Sequence, residues 1–160
     1  MRRKRFGELI GRLTKMPTTG PEPSAIVLAE LKALGDRVPE LTGTLVASTD
    51  GLLIAHDLPP HIEPNGMAAL TASQLSLSHR VATTAHGGGF DEVVVNGSAG
   101  NVVIYAAGWA AALTVLAGPG VNVGRLHLES RPAARAIGEH LAARTKDQRR
   151  QQVSNTDGKE

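Results

Sequence analysis

The chain has 160 residues, no cysteine, 41% hydrophobic and only 2% aromatic residues, and a net charge of +2. That length holds one domain with tails, the missing cysteine excludes disulfides and thiolate chemistry, and the core must be built from small aliphatic side chains. The charge is uneven: residues 1–23 hold six Lys/Arg and two Glu (+4), residues 24–144 seven basic and ten acidic groups (−3), and residues 145–160 four and three (+1), so a nucleic-acid-binding core is not expected.

Taken in chain order, residues 1–16 form a basic amphipathic arm. Phe6, Leu9, Ile10 and Leu13 fall at i, i+3, i+4 and i+7, while Arg2, Arg3, Lys4 and Arg5 crowd the start. Such an arm reads as an anchor for anionic membrane or a partner groove, or as a solvated tail. No apolar run follows the arginines, so no export signal is expected, and no run of 18 apolar residues predicts a membrane span. The expected location is cytoplasmic, peripheral at the membrane if the arm binds lipid.

Residues 17–23 hold three prolines and a glycine, a linker composition. Ser24 reads as a helix cap, and Ala25 to Leu34 as a helix stopped by Gly35. The domain proper is expected over 24–144. Two short apolar runs, Gly43–Ser48 and Leu52–Asp57, flank Asp50-Gly51, a strong hairpin signal. Asp50 belongs to that turn. Pro64 suits the first turn of a helix, and Met67 to His86 follows without Gly or Pro. Met67, Leu70, Gln74, Leu77 and Val81 make one stripe, the remaining surface is small, and Arg80 is the sole fixed charge. A helix so poor in charge is expected to be covered on more than one side.

Gly87-Gly88-Gly89 ends that helix. Strands are expected at Phe90–Asn96, Asn101–Ala107 and Ala110–Ala117, and their short connections make an antiparallel meander. Val93, Val94 and Val95 form a short hydrophobic edge that invites pairing. Val121 to Arg144 reads as a helix interrupted or restarted at Pro132, and residues 145–160 as a disordered polar tail.

Enzymatic signatures are missing. The six histidines include no H-x-x-x-H pair, no G-x-S-x-G elbow surrounds a serine, and no phosphate loop follows the glycines. Neither a catalytic residue, a cofactor nor a metal is expected. Glu129 reads as a partner of Arg125 or Arg131 at helical spacing. Trp109, the only tryptophan, reads as a cap on the sheet end or as an exposed anchor for a partner.

Four segments in this order, "GTLVASTDGLLIA", "MAALTASQLSLSHRVA", "EVVVNGSAGNVVIYAAGWAAALTVLA" and "GVNVGRLHLE", resemble the Roadblock/LC7 family, nearest its bacterial branch. The resemblance covers about residues 24–144, roughly three-quarters of the chain. It departs at Gly108-Trp109, where many relatives carry an acidic residue, at Pro132, and in the basic arm. It implies an α+β fold of the roadblock/profilin-like kind: a five-stranded antiparallel sheet, two helices on one face and the long helix on the other. It also implies a homodimer through third strands and long helices, and a non-enzymatic module that binds a small Ras-like GTPase in trans. The expected dimer contacts are Leu70, Gln74, Leu77, Val81, Val93, Val94 and Val95, and the expected partner contacts Arg80 and Trp109. The rival readings are a membrane-surface adaptor anchored by the basic arm and a small-ligand sensor.

Overall fold

A five-stranded sheet organises the chain. The computed structural model describes residues 23–156; residues 1–22, including the basic arm with Arg2, Arg3, Lys4 and Arg5, and residues 157–160 lie outside them. The elements are α1 (Pro23–Arg37), β1 (Leu41–Ser48), β2 (Leu53–Asp57), α2 (Pro64–His86), β3 (Glu92–Gly97), β4 (Gly100–Ala107), β5 (Ala111–Ala117) and α3 (Val123–Thr156). The strand order is β2-β1-β5-β4-β3 and each neighbouring pair is antiparallel. Tight turns account for three of those pairs; the fourth, β1 against β5, joins hairpin to meander and buries both strands at the centre.

Alternation along the strands splits the core into two layers. On one face Val46, Val103, Leu113 and Val115 meet Val27, Leu31 and Leu34 of α1 and Leu126, Ala133 and Ile137 of α3. On the other, Leu45 and Ala47 meet Ala68 of α2. Thr71 of α2 and Thr114 of β5 are both fully buried there and share a hydroxyl hydrogen bond of 2.7 Å, so each satisfies the other. Two helices on one face and the long helix on the other is the expected arrangement.

Helix ends follow packing more than punctuation. α1 begins at Pro23, whose fixed φ suits a first helical position, so Ser24 lies inside the helix and not at its cap. It runs through Gly35 to Arg37, because Leu34 and Val38 are both fully buried and the Val38 N–H donates to the Leu34 carbonyl at 3.0 Å. α2 starts as expected: the Glu63 carboxylate accepts from the N–H groups of Asn65 and Gly66. Gly87 closes it at φ +68, a conformation costly for residues with a Cβ, and its N–H donates to the Thr83 carbonyl.

α3 corrects two expectations. Pro132 neither interrupts nor restarts it. Pro132 faces outward beside exposed Leu128, so the Leu128 carbonyl it leaves without a helical donor lies on the solvent side of the helix, while Leu126, Ser130, Ala133 and Ala134 hold the inner face. Nor does the helix give way to a disordered tail after Arg144; it continues to Thr156. No Gly or Pro occurs between Glu139 and Thr156, and Ala, Arg, Lys and Gln dominate the stretch.

Candidate interaction surfaces

α2 uses only one of its apolar faces. Ala68 and Thr71 point into the sheet, and Met67 packs beside them. The rest of the predicted stripe points away: Leu70 is 65% exposed, Leu77 57% and Val81 61%. Gln74 is half-buried among them, its amide donating to the Ser78 hydroxyl at 3.0 Å. One chain thus leaves an unfinished hydrophobic surface along the outside of α2.

β3 is an edge strand of the sheet. Its valines divide between the faces. Val94 stands opposite Val103 and shares the α1/α3 side, while Val93 and Val95 stand opposite Ile104 and Val102 on the α2 side. Val94 and Val95 are exposed and Val93 is half-buried. The backbone parity is fixed as well. The Ala106 N–H donates to the Asp91 carbonyl at 2.9 Å, so Asp91, Val93 and Val95 turn their polar groups toward β4. The N–H and C=O groups of Glu92, Val94 and Asn96 therefore point to the open edge.

A second unfinished surface lies where β1 and β4 end. The Thr49 N–H donates to the Ala110 carbonyl at 3.0 Å and ties the β1–β2 turn to the β4–β5 turn. Trp109 projects from that second turn, 77% exposed. It lines two clefts: one of about 470 Å³ with Leu75, His79 and Phe90, the other of about 260 Å³ with Ile54, Leu141, Ala142 and Arg144. Phe90 and Tyr105 also line a larger neighbour of about 860 Å³ between β3 and α3. Tyr105, Phe90 and Trp109 are all the aromatics among the described residues, and they gather at this end. Arg80 sits on the exposed side of α2, one residue from His79 of the Trp109 cleft, and among the described residues its guanidinium has no ion pair.

An ionic cluster braces β3 against α3. Arg131 donates to both oxygens of Glu92, at 2.8 and 2.6 Å, and His127 Nδ1 lies 3.5 Å from the same carboxylate. The Arg131 hydrogen bonds hold the Glu92 carboxyl below its ordinary range against a smaller opposing effect of burial. Tyr105 is buried beside them; burial pushes its phenol up to about 12, so it keeps its proton near neutral pH, and its hydroxyl shares a hydrogen bond of 2.8 Å with His127 Nδ1, the direction set by the imidazole tautomer. A second group joins α1 to α3. Arg37 pairs with Glu129 at 2.9 Å and with Glu30 at 3.2 Å, and Arg125 donates to the Arg37 carbonyl at 2.7 Å. The expected pairing of Glu129 with Arg125 or Arg131 is thus replaced by one across helices, because Arg131 is engaged by Glu92. Among the described residues no group of three His, Asp or Glu is placed to hold a metal ion.

The Roadblock/LC7 domain model matches residues 28–117, more than half of the chain. The chain belongs to the Roadblock/LC7 family. The matched span ends with β5, so α3 lies beyond the matched residues. The Roadblock/LC7 domain from Streptomyces avermitilis superposes with a TM-score of 0.67 at 26% identity, over 72% of this chain and 97% of that one. MglB from Myxococcus xanthus superposes at 0.71 with 16% identity, over 79% and 95%. A structure described as MglB with tetrameric arrangement gives 0.69 at 20% identity, over 79% and 96%. These two MglB likenesses are likenesses of fold. No curated protein matches the chain.

Proposed function

We propose that this protein is a homodimeric, non-enzymatic module that binds and regulates a small Ras-like GTPase supplied in trans. The observation that carries the reading is the pair of unfinished surfaces a single chain leaves: the exposed stripe Leu70, Leu77 and Val81, and the open edge of β3 with Val94 and Val95. Unprotected hydrophobic edges invite pairing, and exposed apolar stripes mark interfaces. Membership in the Roadblock/LC7 family supports the regulatory reading, and the tetrameric arrangement named for MglB supports self-association.

The backbone parity selects a register. Two β3 strands related by a twofold axis pair only residues whose N–H and C=O both face outward. Centring the axis on Val94 places Val94 opposite its own copy and Glu92 opposite Asn96 of the second strand, which uses every outward group of the edge. The long helices then meet through Leu70, Gln74, Leu77 and Val81. Residues beside the axis occur twice, so one GTPase would bridge both copies. Light scattering is expected to give twice the 16.7 kDa chain mass at micromolar concentration; the chain mass alone overturns the dimer. Calorimetric titration with any Ras-like GTPase found encoded beside this chain, in GDP- and GTP-loaded forms, tests the partner, and heat-silent titrations in both states overturn it.

A further inference from the structure

The surface around Trp109 and the end of α3 are not used by the dimer just described. α3 crosses the end of β4 in direct contact: a Cβ on Gly138 would stand 2.6 Å from the Ala107 carbonyl carbon and the Gly108 nitrogen. Beyond Gly138 the helix continues for residues 139–156, a reach of about 27 Å at 1.5 Å per residue. Residues 141–156 carry Arg144, Lys146, Arg149 and Arg150 against a single acid, Asp147. Trp109 faces the root of this projection, sharing the 260 Å³ cleft with Leu141, Ala142, Arg144, Thr145 and Gln148. An aromatic-walled cleft therefore opens onto a basic helix.

We infer that the Trp109 cleft and the basic end of α3 form a docking site for an acidic segment of another protein, whose large apolar side chain enters the cleft while its carboxylates lie along Lys146, Arg149 and Arg150. Charge selects this occupant. The chain's own residues 1–16 hold six basic groups and one acid, so they would meet like charge. A second copy placed face to face would set the same basic helix against itself. Solvent-exposed tryptophan beside arginine is the composition of an interface hot spot, where a few anchors carry most of the binding energy. A concave cleft with one indole suits a peptide side chain better than a flat bilayer, and with no second aromatic beside Trp109 in its lining it offers no platform on which successive bases could stack.

Trp109 is the only tryptophan, so its fluorescence reports occupancy directly. The full chain is screened against an array of short Asp/Glu-rich peptides bearing Leu, Ile or Phe at varied positions. Peptides with Lys in place of the acids, oligothymidine and phosphatidylserine vesicles serve as the other arms. The expected result is saturable, salt-sensitive binding of acidic members with a blue shift of Trp109 emission. Trp109→Ala and the pair Arg149→Glu with Arg150→Glu should each weaken binding about tenfold or more, with Lys32→Ala, at an exposed lysine of α1, leaving it unchanged. Trp109 is exposed, so its removal should not unfold the domain, and circular dichroism checks that. No binding by any acidic peptide, binding without a change in Trp109 emission, or preference for oligothymidine or vesicles overturns the site. The inference does not rest on the GTPase reading, and the two tests fail independently.

Discussion

Glu92 shows how one residue can serve two neighbours. Its backbone faces the open edge of β3, while its side chain is held on the α3 side by Arg131 and lies near His127. The carboxyl is held below its ordinary range, so its ion pair contributes stability that is present above the unfolded-state value and is lost as pH falls through the lower folded-state value. Glu92→Gln should therefore cost about 1 kcal/mol at neutral pH, a figure kept small because Arg131 is well exposed. The cost should shrink toward zero as acidification protonates Glu92 in the parent protein as well. Paired urea titrations at neutral pH and at a pH below the lowered folded-state value of Glu92 check this; a cost that persists unchanged there would mean that the carboxylate charge is not what matters. None of this was legible in the sequence. Glu92 and Arg131 are 39 residues apart, and only the fold brings them together. The signal present was the strand register, which sets Glu92 opposite Tyr105 once β3 and β4 are paired.

At the scale of elements, the strands and the hairpin were readable because each announces itself locally: Asp50-Gly51 between apolar runs, and short glycine-bearing turns within the meander. The helix ends were read less well. Gly35 and Pro132 are breakers only when nothing else holds the chain, and here buried Leu34, Val38, Leu126 and Ala133 do so. The continuation of α3 past Arg144 is not signalled by the pattern, because a polar stretch without apolar periodicity resembles a tail, although its residues favour helix. The edge strand allows a sharper test. Proline is tolerated in an edge strand where its missing N–H faces solvent. Val94→Pro should thus spare the fold yet remove a central donor of the proposed inter-copy ladder, giving a monomer by light scattering. Val95→Pro removes a bond to β4 instead and should lower the melting temperature of the monomeric unit itself. Equal effects of the two changes on association and stability would contradict the parity assigned to β3.

For the whole molecule, the question is whether association and partner binding are separate events. If the composite surface beside the twofold axis binds the GTPase, then dimerisation comes first, and the apparent stability of the protein should rise with its own concentration. Leu77→Glu would place a carboxylate in the stripe between the two long helices. It should abolish the dimer and, with it, GTPase binding, because half of the composite surface disappears. Arg80→Ala acts differently. Arg80 is exposed and is the single fixed charge on α2, so its loss should leave the dimer intact while weakening the GTPase about tenfold, about 1.4 kcal/mol, if it meets an acidic patch there. Light scattering and calorimetry on both variants separate the steps. A monomeric Leu77→Glu protein that still binds the GTPase at full affinity would show that one chain suffices. An Arg80→Ala dimer of unchanged affinity would move the contact away from α2, toward the end of the sheet where Trp109 stands.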